Sequence, residues 1–135
     1  MNLSRKFLLL FVAMGVASSA WGHHSFAMFD LDKEVTLEGV VKDLQWGNPH
    51  VWLEIRVPDG KGRTTVWSLE MGTTGMLTRA GWKSGTLKPN DQVKVVVNPL
   101  KSGAPSGRLV TVTLPDGRVL GPGSPAPPPP PKPGA

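Results

Sequence analysis

The segment His50-Val51-Trp52-Leu53-Glu54-Ile55-Arg56-Val57 alternates strictly between two sets of side chains. Because successive side chains of a strand point to opposite faces, this period of two predicts a half-buried β-strand. The face predicted to be buried is wholly apolar and consists of Val51, Leu53, Ile55 and Val57. The face predicted to meet solvent carries the polar and aromatic side chains of His50, Trp52, Glu54 and Arg56.

The flanking segments predict further strands. Residues 35–41 alternate in the same way until the phase slips beside Gly39, which predicts a bulge or a sharp bend there. In the third strand, Trp67 and Leu69 are predicted to face inward. The fifth strand is marked by three alternating apolar residues, Val110, Val112 and Leu114. The strands predicted after residue 57 cover residues 64–70, 92–97, 110–114 and 119–120, with a glycine-rich loop at 98–107.

One short helix is predicted between the third and fourth strands. Thr73 or Thr74 supplies its N-cap, and Gly81 ends it. Its apolar residues are Met76, Leu77 and Ala80. Three strands, a helix and two strands is the order of the five-stranded Greek-key barrel called the OB-fold. The predicted fold class is therefore mainly β with one short helix, a small OB-like barrel. A small β-sandwich is the alternative that the same alternation satisfies.

Length and composition predict one small domain without disulfides. The chain has 135 residues, and its 16 glycines and 14 prolines favour short strands joined by turns over a helix bundle. It has no cysteine, so its stability must come from an apolar core. We place Trp46, Trp67 and Trp82 in that core. Two turns of the same chemistry, Pro58-Asp59-Gly60 and Pro115-Asp116-Gly117, join predicted strands.

The first 22 residues have the pattern of a secretory signal peptide. Arg5 and Lys6 precede an apolar stretch of about ten residues, and small residues allow cleavage after Ala20 or Gly22. No apolar run reaches the roughly 20 residues that a membrane-spanning helix needs. We therefore expect a periplasmic or secreted protein with no stable membrane insertion after cleavage.

The remaining chain divides into three parts by composition. A histidine-containing segment covers residues 23–34, and the predicted barrel covers residues 35–120. Residues 121–135 contain eight prolines and no large apolar side chain, so they cannot contribute to a core. They predict an extended, disordered polyproline tail.

Charge bears on the class of partner. The formal net charge of +5 falls to +3 once Arg5 and Lys6 are removed with the leader, which argues against a nucleic-acid partner. Barrels of this class bind ligands on the face of strands two and three. The outward face of His50, Trp52, Glu54 and Arg56 is therefore the candidate binding face. The expected partner is an envelope protein, a glycan or a small ligand.

The residue pattern argues against an enzyme. His24, Ser25 and Asp30 are the right residue types for a hydrolytic triad, but they are crowded on one short segment without a Gly-x-Ser-x-Gly motif. The sequence also contains no phosphate-binding loop and no dinucleotide fingerprint. We expect a binding protein with no catalytic residues.

Three segments together resemble those of a family of small exported bacterial proteins of unknown function. They are His23-His24-Ser25-Phe26 with Phe29-Asp30, then Gly47-Asn48-Pro49-His50, then Leu87-Lys88-Pro89-Asn90-Asp91. The last segment is generic, because many barrels have Leu-Lys-Pro-Gly-Asp there, and this chain has Asn90 where glycine is usual. The resemblance spans roughly residues 23–120 and implies secretion and a small domain. It brings no established activity.

The three histidines, His23, His24 and His50, form the alternative functional hypothesis, a metal site. Cleavage after Ala20 would leave His23 third in the mature chain. The amine, two backbone nitrogens and the imidazole then suit square-planar Cu(II) or Ni(II). Cleavage after Gly22 would make His23 the first residue, with amine and imidazole as chelating groups. A three-histidine Zn(II) site is the further possibility, if the N-terminal segment folds back beside the second strand.

A purely structural role is the competing interpretation of the same histidines. In it, His24 and Ser25 hydrogen-bond the backbone at the barrel rim while Phe26 and Phe29 plug one end. His50 does the same after the Asn48-Pro49 turn.

Overall fold

A computed structural model describes residues 26–123 of the chain. These residues form six strands and one helix. In chain order they are β1 (Val35–Gln45), β2 (Trp52–Pro58), β3 (Thr64–Glu70), α1 (Thr74–Arg79), β4 (Gln92–Pro99), β5 (Ser106–Thr113) and β6 (Val119–Leu120). No helix in this range is long and apolar enough to cross a lipid bilayer.

Strand pairing closes the first five strands into a barrel. The antiparallel pairs β3–β2, β2–β1, β1–β4 and β4–β5 run in sequence around the sheet. A parallel pairing of β3 with β5, from Ser68 opposite Ser106 to Glu70 opposite Arg108, joins the two edges. Closure removes the open sheet edges that would otherwise expose unpaired backbone groups. The predicted OB-like barrel is confirmed, and β6 is an extra strand on β5.

The barrel interior is filled as the alternation of β2 predicts. Val51, Leu53 and Ile55 are fully buried, and Val57 is partly buried against the same core. Trp82 is fully buried, and its indole N–H donates to the carbonyl of Gly121 at 2.8 Å. The prediction that three tryptophans belong to the core is correct, although Trp46 and Trp67 are only partly buried against it.

The irregularity predicted at Gly39 lies slightly further along β1. The pairing of β1 with β2 shifts between Val41 and Asp43, so Lys42 is the extra residue of the bulge. Gly39 has a different role, because a Cβ at this position would lie 2.4 Å from the carbonyl oxygen of Arg56. It allows β1 and β2 to approach closely.

Three predicted strand boundaries are wrong by two residues or more. β2 begins at Trp52 rather than at residue 50. The predicted loop at 98–107 is shorter, because β4 continues through Pro99 and β5 begins at Ser106. A second irregularity, between Val96 and Val97, changes which side chains of β5 face inward. Leu109 is buried in place of Val110, which is only partly buried.

The short helix forms where its capping residues predict. Thr73 is the N-cap, and its hydroxyl accepts the backbone N–H of Met76 at 3.2 Å. The turn after the helix contains Gly81 at φ +94°, a left-handed conformation that glycine adopts without strain. Leu77 is the helix residue that is fully buried, while Ala80 is exposed. The helix is therefore held by packing at one side chain and by its cap.

The folded body extends three residues beyond Leu120. The carbonyl of Pro122 accepts the backbone N–H of Gly72 at 3.0 Å, in addition to the Trp82–Gly121 hydrogen bond. Residues 121–123, which composition assigns to the tail, therefore pack beside α1. The rest of the predicted tail, residues 124–135, lies outside the described residues, as does the predicted signal peptide.

Candidate functional site

The loop between β1 and β2 is attached to the start of α1. The side-chain oxygen of Asn48 accepts both the backbone N–H and the hydroxyl of Thr74, each at 3.1 Å. Backbone hydrogen bonds of Val51 to Gly72 and Met71 continue the pairing of β2 with β3 past the end of both strands. The Asn48-Pro49-His50 motif is thus held from two sides, which fixes the position of His50.

The imidazole of His50 has a defined tautomer. Its Nδ1 lies 3.0 Å from the carbonyl oxygen of Met71, and because a carbonyl only accepts, Nδ1 carries the proton. The lone pair of the neutral ring is therefore on Nε2, to which no residue between 26 and 123 is hydrogen-bonded. The Oε1 atom of Glu70 lies 3.5 Å from the same Nδ1. The backbone hydrogen bond that the structural interpretation predicts for His50 is present at Nδ1.

Phe26, at the start of the described chain, lines a cavity together with His50. Phe29 is buried and pairs with Leu100 in an isolated bridge. Phe26 does not plug the barrel: its side chain is 56% exposed. The guanidinium of Arg108 lies over the Phe26 ring, 5.6 Å from the centroid, and also donates to Asn98 at 3.5 Å. Cation–π contacts of this geometry are favourable.

These side chains surround a small cavity, which we call the His50 cavity. Register places Trp52 beside Glu70 and Glu70 beside Arg108 on the outer face of three adjacent strands. The cavity has a volume of about 130 Å³, whereas sites that enclose drug-sized ligands have about 300–1,000 Å³. It is lined by Phe26, His50, Glu70, Met71, Gly72, Thr73, Met76, Arg108 and Pro122. Its size matches an ion or a very small molecule.

A shallow open groove lies on the other side of His50. It is lined by Gln45, Trp46, Gly47, Asn48, Pro49, His50 and Trp52. His50 therefore lines both a small, partly enclosed cavity and an open groove that contains two tryptophans.

The structure divides the predicted binding face into two parts. His50 and Trp52 line the same groove. Glu54, in contrast, is engaged by Lys42, whose Nζ lies 2.7 Å from its carboxylate. Arg56 is exposed and makes no ion pair with any residue that the structure describes. The candidate binding site is therefore the end of the face that contains His50 and Trp52, because these two residues line a groove.

Two of the three predicted metal ligands, His23 and His24, lie outside the described residues. Within residues 26–123, no three His, Cys, Asp or Glu side chains are grouped so that they could hold a metal ion. Phe26, which follows His24 by two residues, lines the His50 cavity.

The sequence analysis missed most of the cavity wall. Glu70, Arg108, Met71 and Met76 come from three separate elements or their ends, and no local pattern links them to His50. The closing pair β3–β5 places Arg108 beside Glu70, and such a parallel pairing has no signature in either strand alone. Phe26 was detectable, because it belongs to the His-His-Ser-Phe motif.

Among residues 26–123, two carboxyl groups have shifted pKa values, and neither lines the His50 cavity. Hydrogen bonds from the backbone of Lys61 and the side chain of Arg63 lower the pKa of Asp59. The backbone and side chain of Arg118 lower the pKa of Asp116. Both belong to the Pro-Asp-Gly turns, so these shifts reflect turn structure.

No curated protein and no solved structure matches this chain. The predicted resemblance to a family of unknown function is confirmed by a match to one family model, described as a family of unknown function (DUF6152). The match covers residues 11–109, well over half of the chain, and the protein therefore belongs to that family.

Proposed function

We propose that this protein is an exported binding module of the bacterial periplasm, and that its ligand site is the His50 cavity with the adjoining groove. The proposal rests on one observation, which is that segments distant in sequence converge on one cavity. Side chains from the β1–β2 loop, the end of β3, β5 and the N-terminal segment meet around one cavity. Residues that are distant in sequence and line one cavity with polar and aromatic groups are typical of a ligand site.

The geometry favours a small ligand over the other expected partners. The cavity holds about 130 Å³, which is too little for a glycan. A glycan or an envelope protein would instead contact the open groove beside Trp46 and Trp52. Binding, rather than catalysis, is the proposed activity, because the sequence contains neither a Gly-x-Ser-x-Gly motif nor a phosphate-binding loop or dinucleotide fingerprint.

Export rests on the composition of residues 1–22 and is tested by fractionation. We expect the protein in the periplasmic fraction, with a mature N-terminus at Trp21 or His23 by N-terminal sequencing. An intact N-terminus on cytoplasmic protein would contradict export and leave the binding site to be judged separately.

Metal binding by His23, His24 and His50 is the second candidate function. It is supported by the Nε2 lone pair of His50 and by chain connectivity. In the sequence, His24 precedes Phe26 of the cavity wall by two residues. Cu(II) and Zn(II) are the proposed ions.

Paramagnetic broadening by Cu(II) tests the second candidate at residue level. In ¹H–¹⁵N spectra of the purified chain, we expect substoichiometric Cu(II) to broaden the amides of His50, Glu70 and Arg108. The amide of Asp59, beyond the far end of β2, should stay sharp. A double variant, His23→Ala with His24→Ala, and a single variant, His50→Gln, should each weaken binding at least tenfold. Unchanged Cu(II) affinity in both would contradict this function.

A further inference from the structure

The open groove beside His50 has two tryptophans on the outside of the barrel. Trp52 lies on the face of β2 opposite the buried residues Val51 and Leu53, so its side chain points away from the core. Trp46 packs partly against the core and also lines the groove. The groove has a volume of about 410 Å³, compared with about 130 Å³ for the His50 cavity. It therefore has room for a segment of extended chain.

The indole N–H groups of both groove tryptophans reach solvent. Among the tryptophans of residues 26–123, Trp82 is the one whose Nε1 donates a hydrogen bond, to the carbonyl of Gly121. No side-chain nitrogen in this range is both buried and unpaired, so the Nε1 atoms of Trp46 and Trp52 are accessible. Each indole thus offers an apolar ring and a hydrogen-bond donor to a partner.

The chain itself contains a segment of complementary chemistry. Residues 127–131 are five consecutive prolines. A polyproline II helix has no internal hydrogen bonds, so its carbonyl groups are open to a donor from outside. Aromatic-lined grooves recognise this conformation because it is already extended before it binds and loses little entropy. Exposed indole rings with accessible N–H groups are what such a segment requires.

The described chain ends beside this groove. Gly123 packs against α1, where a Cβ on the glycine would lie 2.8 Å from the side chain of Leu77. In the same helix, Thr74 donates two hydrogen bonds to Asn48, which lines the groove. Thr74 and Leu77 are separated by about 4.5 Å along the helix axis. As polyproline II, residues 124–135 would span about 37 Å, which is ample to reach the groove.

Tethering makes a weak contact sufficient. Three residues, 124–126, separate Gly123 from the first of the five prolines. A short linker of this kind holds two binding elements at an effective concentration of about 1 mM. A free peptide with a Kd of about 1 mM would therefore occupy the groove about half of the time once it is tethered. Two aromatic side chains are enough for such an affinity.

We propose that the polyproline tail docks onto the open groove of its own chain, with its prolines against the rings of Trp46 and Trp52. The docked tail closes the groove to other partners until it is displaced. This inference goes beyond the proposed function, because it concerns the chain's own tail and holds whichever ligand the His50 cavity takes.

A nitroxide label on the tail tests the docking directly. Because the chain has no cysteine, Lys132→Cys takes the label at a single site beside the prolines. In ¹H–¹⁵N spectra, we expect the indole N–H resonances of Trp46 and Trp52 to lose at least half of their intensity relative to the reduced, diamagnetic label. The amide of Asp59, beyond the far end of β2, should keep its intensity. Equal losses at all three positions, or no loss at the indoles, would overturn the proposal.

Two further variants, each made in the labelled chain, separate docking from chance proximity. The first replaces the five prolines and leaves every described residue unchanged: Pro127→Ser, Pro128→Gly, Pro129→Ser, Pro130→Gly and Pro131→Ser. It should restore at least half of the lost intensity at both indoles. Its matched control, Ser124→Gly with Ala126→Gly, keeps the prolines and should retain the loss. Equal losses in the two variants would contradict recognition of polyproline, whatever the stability of the groove.

Mixed labelling identifies the occupant of the groove. A ¹⁵N-labelled parent chain is mixed with an unlabelled chain that carries the nitroxide, each at about 0.1 mM, which is tenfold below the effective concentration. We expect no loss of indole intensity in the mixture, because docking is intramolecular. A loss as large as within one chain would show docking between copies and would overturn the assignment to the chain's own tail. Because the readout is independent of export and of the His50 cavity, failure here leaves the proposed function standing.

Discussion

The two ends of β2 are held by different kinds of contact. Before the strand, Asn48 and His50 bond to Thr74 and Met71, more than 20 residues further along the chain. After the strand, one oxygen of Asp59 accepts the backbone N–H groups of Lys61 and Arg63, at 2.8 and 3.1 Å. The other oxygen accepts Nε of Arg63 at 2.8 Å. All of these partners lie within four residues.

This difference explains why the candidate site lies before β2 and not after it. A turn that satisfies its own polar groups locally leaves none of them for a ligand and needs no other part of the fold. At the other end, the polar groups are fixed by segments that meet only when the barrel has closed. The imidazole there is oriented through Nδ1, and His50 lines a cavity. Distant contacts thus create the site, and local contacts end the strand.

Truncation in the middle of β2 should have the largest effect, because both ends depend on the strand. Ile55 is fully buried, so Ile55→Ala removes core contacts and leaves a cavity. We expect a loss of about 2–5 kcal/mol in the free energy of unfolding, measured with urea. The matched control is Arg56→Ala, on the exposed face of the same strand, which should change stability by less than about 0.5 kcal/mol. Similar losses in both variants would contradict the assigned faces of β2.

Removing the long-range contact before β2 should have an intermediate effect. Asn48→Ala deletes the oxygen that accepts two hydrogen bonds from Thr74, and we expect a loss of about 1 kcal/mol in urea unfolding. Asn48→Asp keeps an acceptor and should retain most of the stability. The backbone amide of Thr74 should exchange with solvent faster in Asn48→Ala alone. Equal exchange in both variants would show that this contact does not hold the loop.

Loss of the Asp59 carboxylate in the local turn after β2 should have the smallest effect on stability. Protonation of this group causes that loss at acidic pH. Because the folded pKa of Asp59 is below its ordinary value of 3.8, its carboxylate stabilises the turn above that pH. The contribution is lost as the pH falls through the lowered pKa. Chemical shifts of the Lys61 amide should follow this titration, and Asp59→Asn should abolish it. Asp116→Asn, in the second Pro-Asp-Gly turn, should leave the Lys61 titration unchanged and so serves as the control.

The sequence predicted which strands, helix and turns form better than it predicted the residues at which the strands begin, end or bulge. Alternation in β2, the cap at Thr73 and both Pro-Asp-Gly turns are short-range features, and each was visible in fewer than ten residues. The errors at Lys42 and Leu109 share one cause. A bulge depends on how two strands pair, so the residue at which the phase slips in one strand does not fix the position of the extra residue.

The candidate site was predicted only in part. His50 was identified because histidines are few and because it follows a turn motif. Glu70, Arg108 and Met76 were not, because each belongs to a different element and is unremarkable within it. A residue's contribution to a cavity depends on which strands are neighbours, and strand order is a property of the closed barrel.

The sequence alone determined the alternating faces, the turns, the short helix and hence the class of barrel, since these depend on side-chain chemistry between near neighbours. Only the tertiary structure decided that β3 pairs with β5, that Phe26 lies beneath Arg108, and that His50 and Arg108 line one cavity. Such contacts join residues far apart in the chain. Their free energy is gained only after the intervening loops have been ordered, so the local pattern carries no record of them.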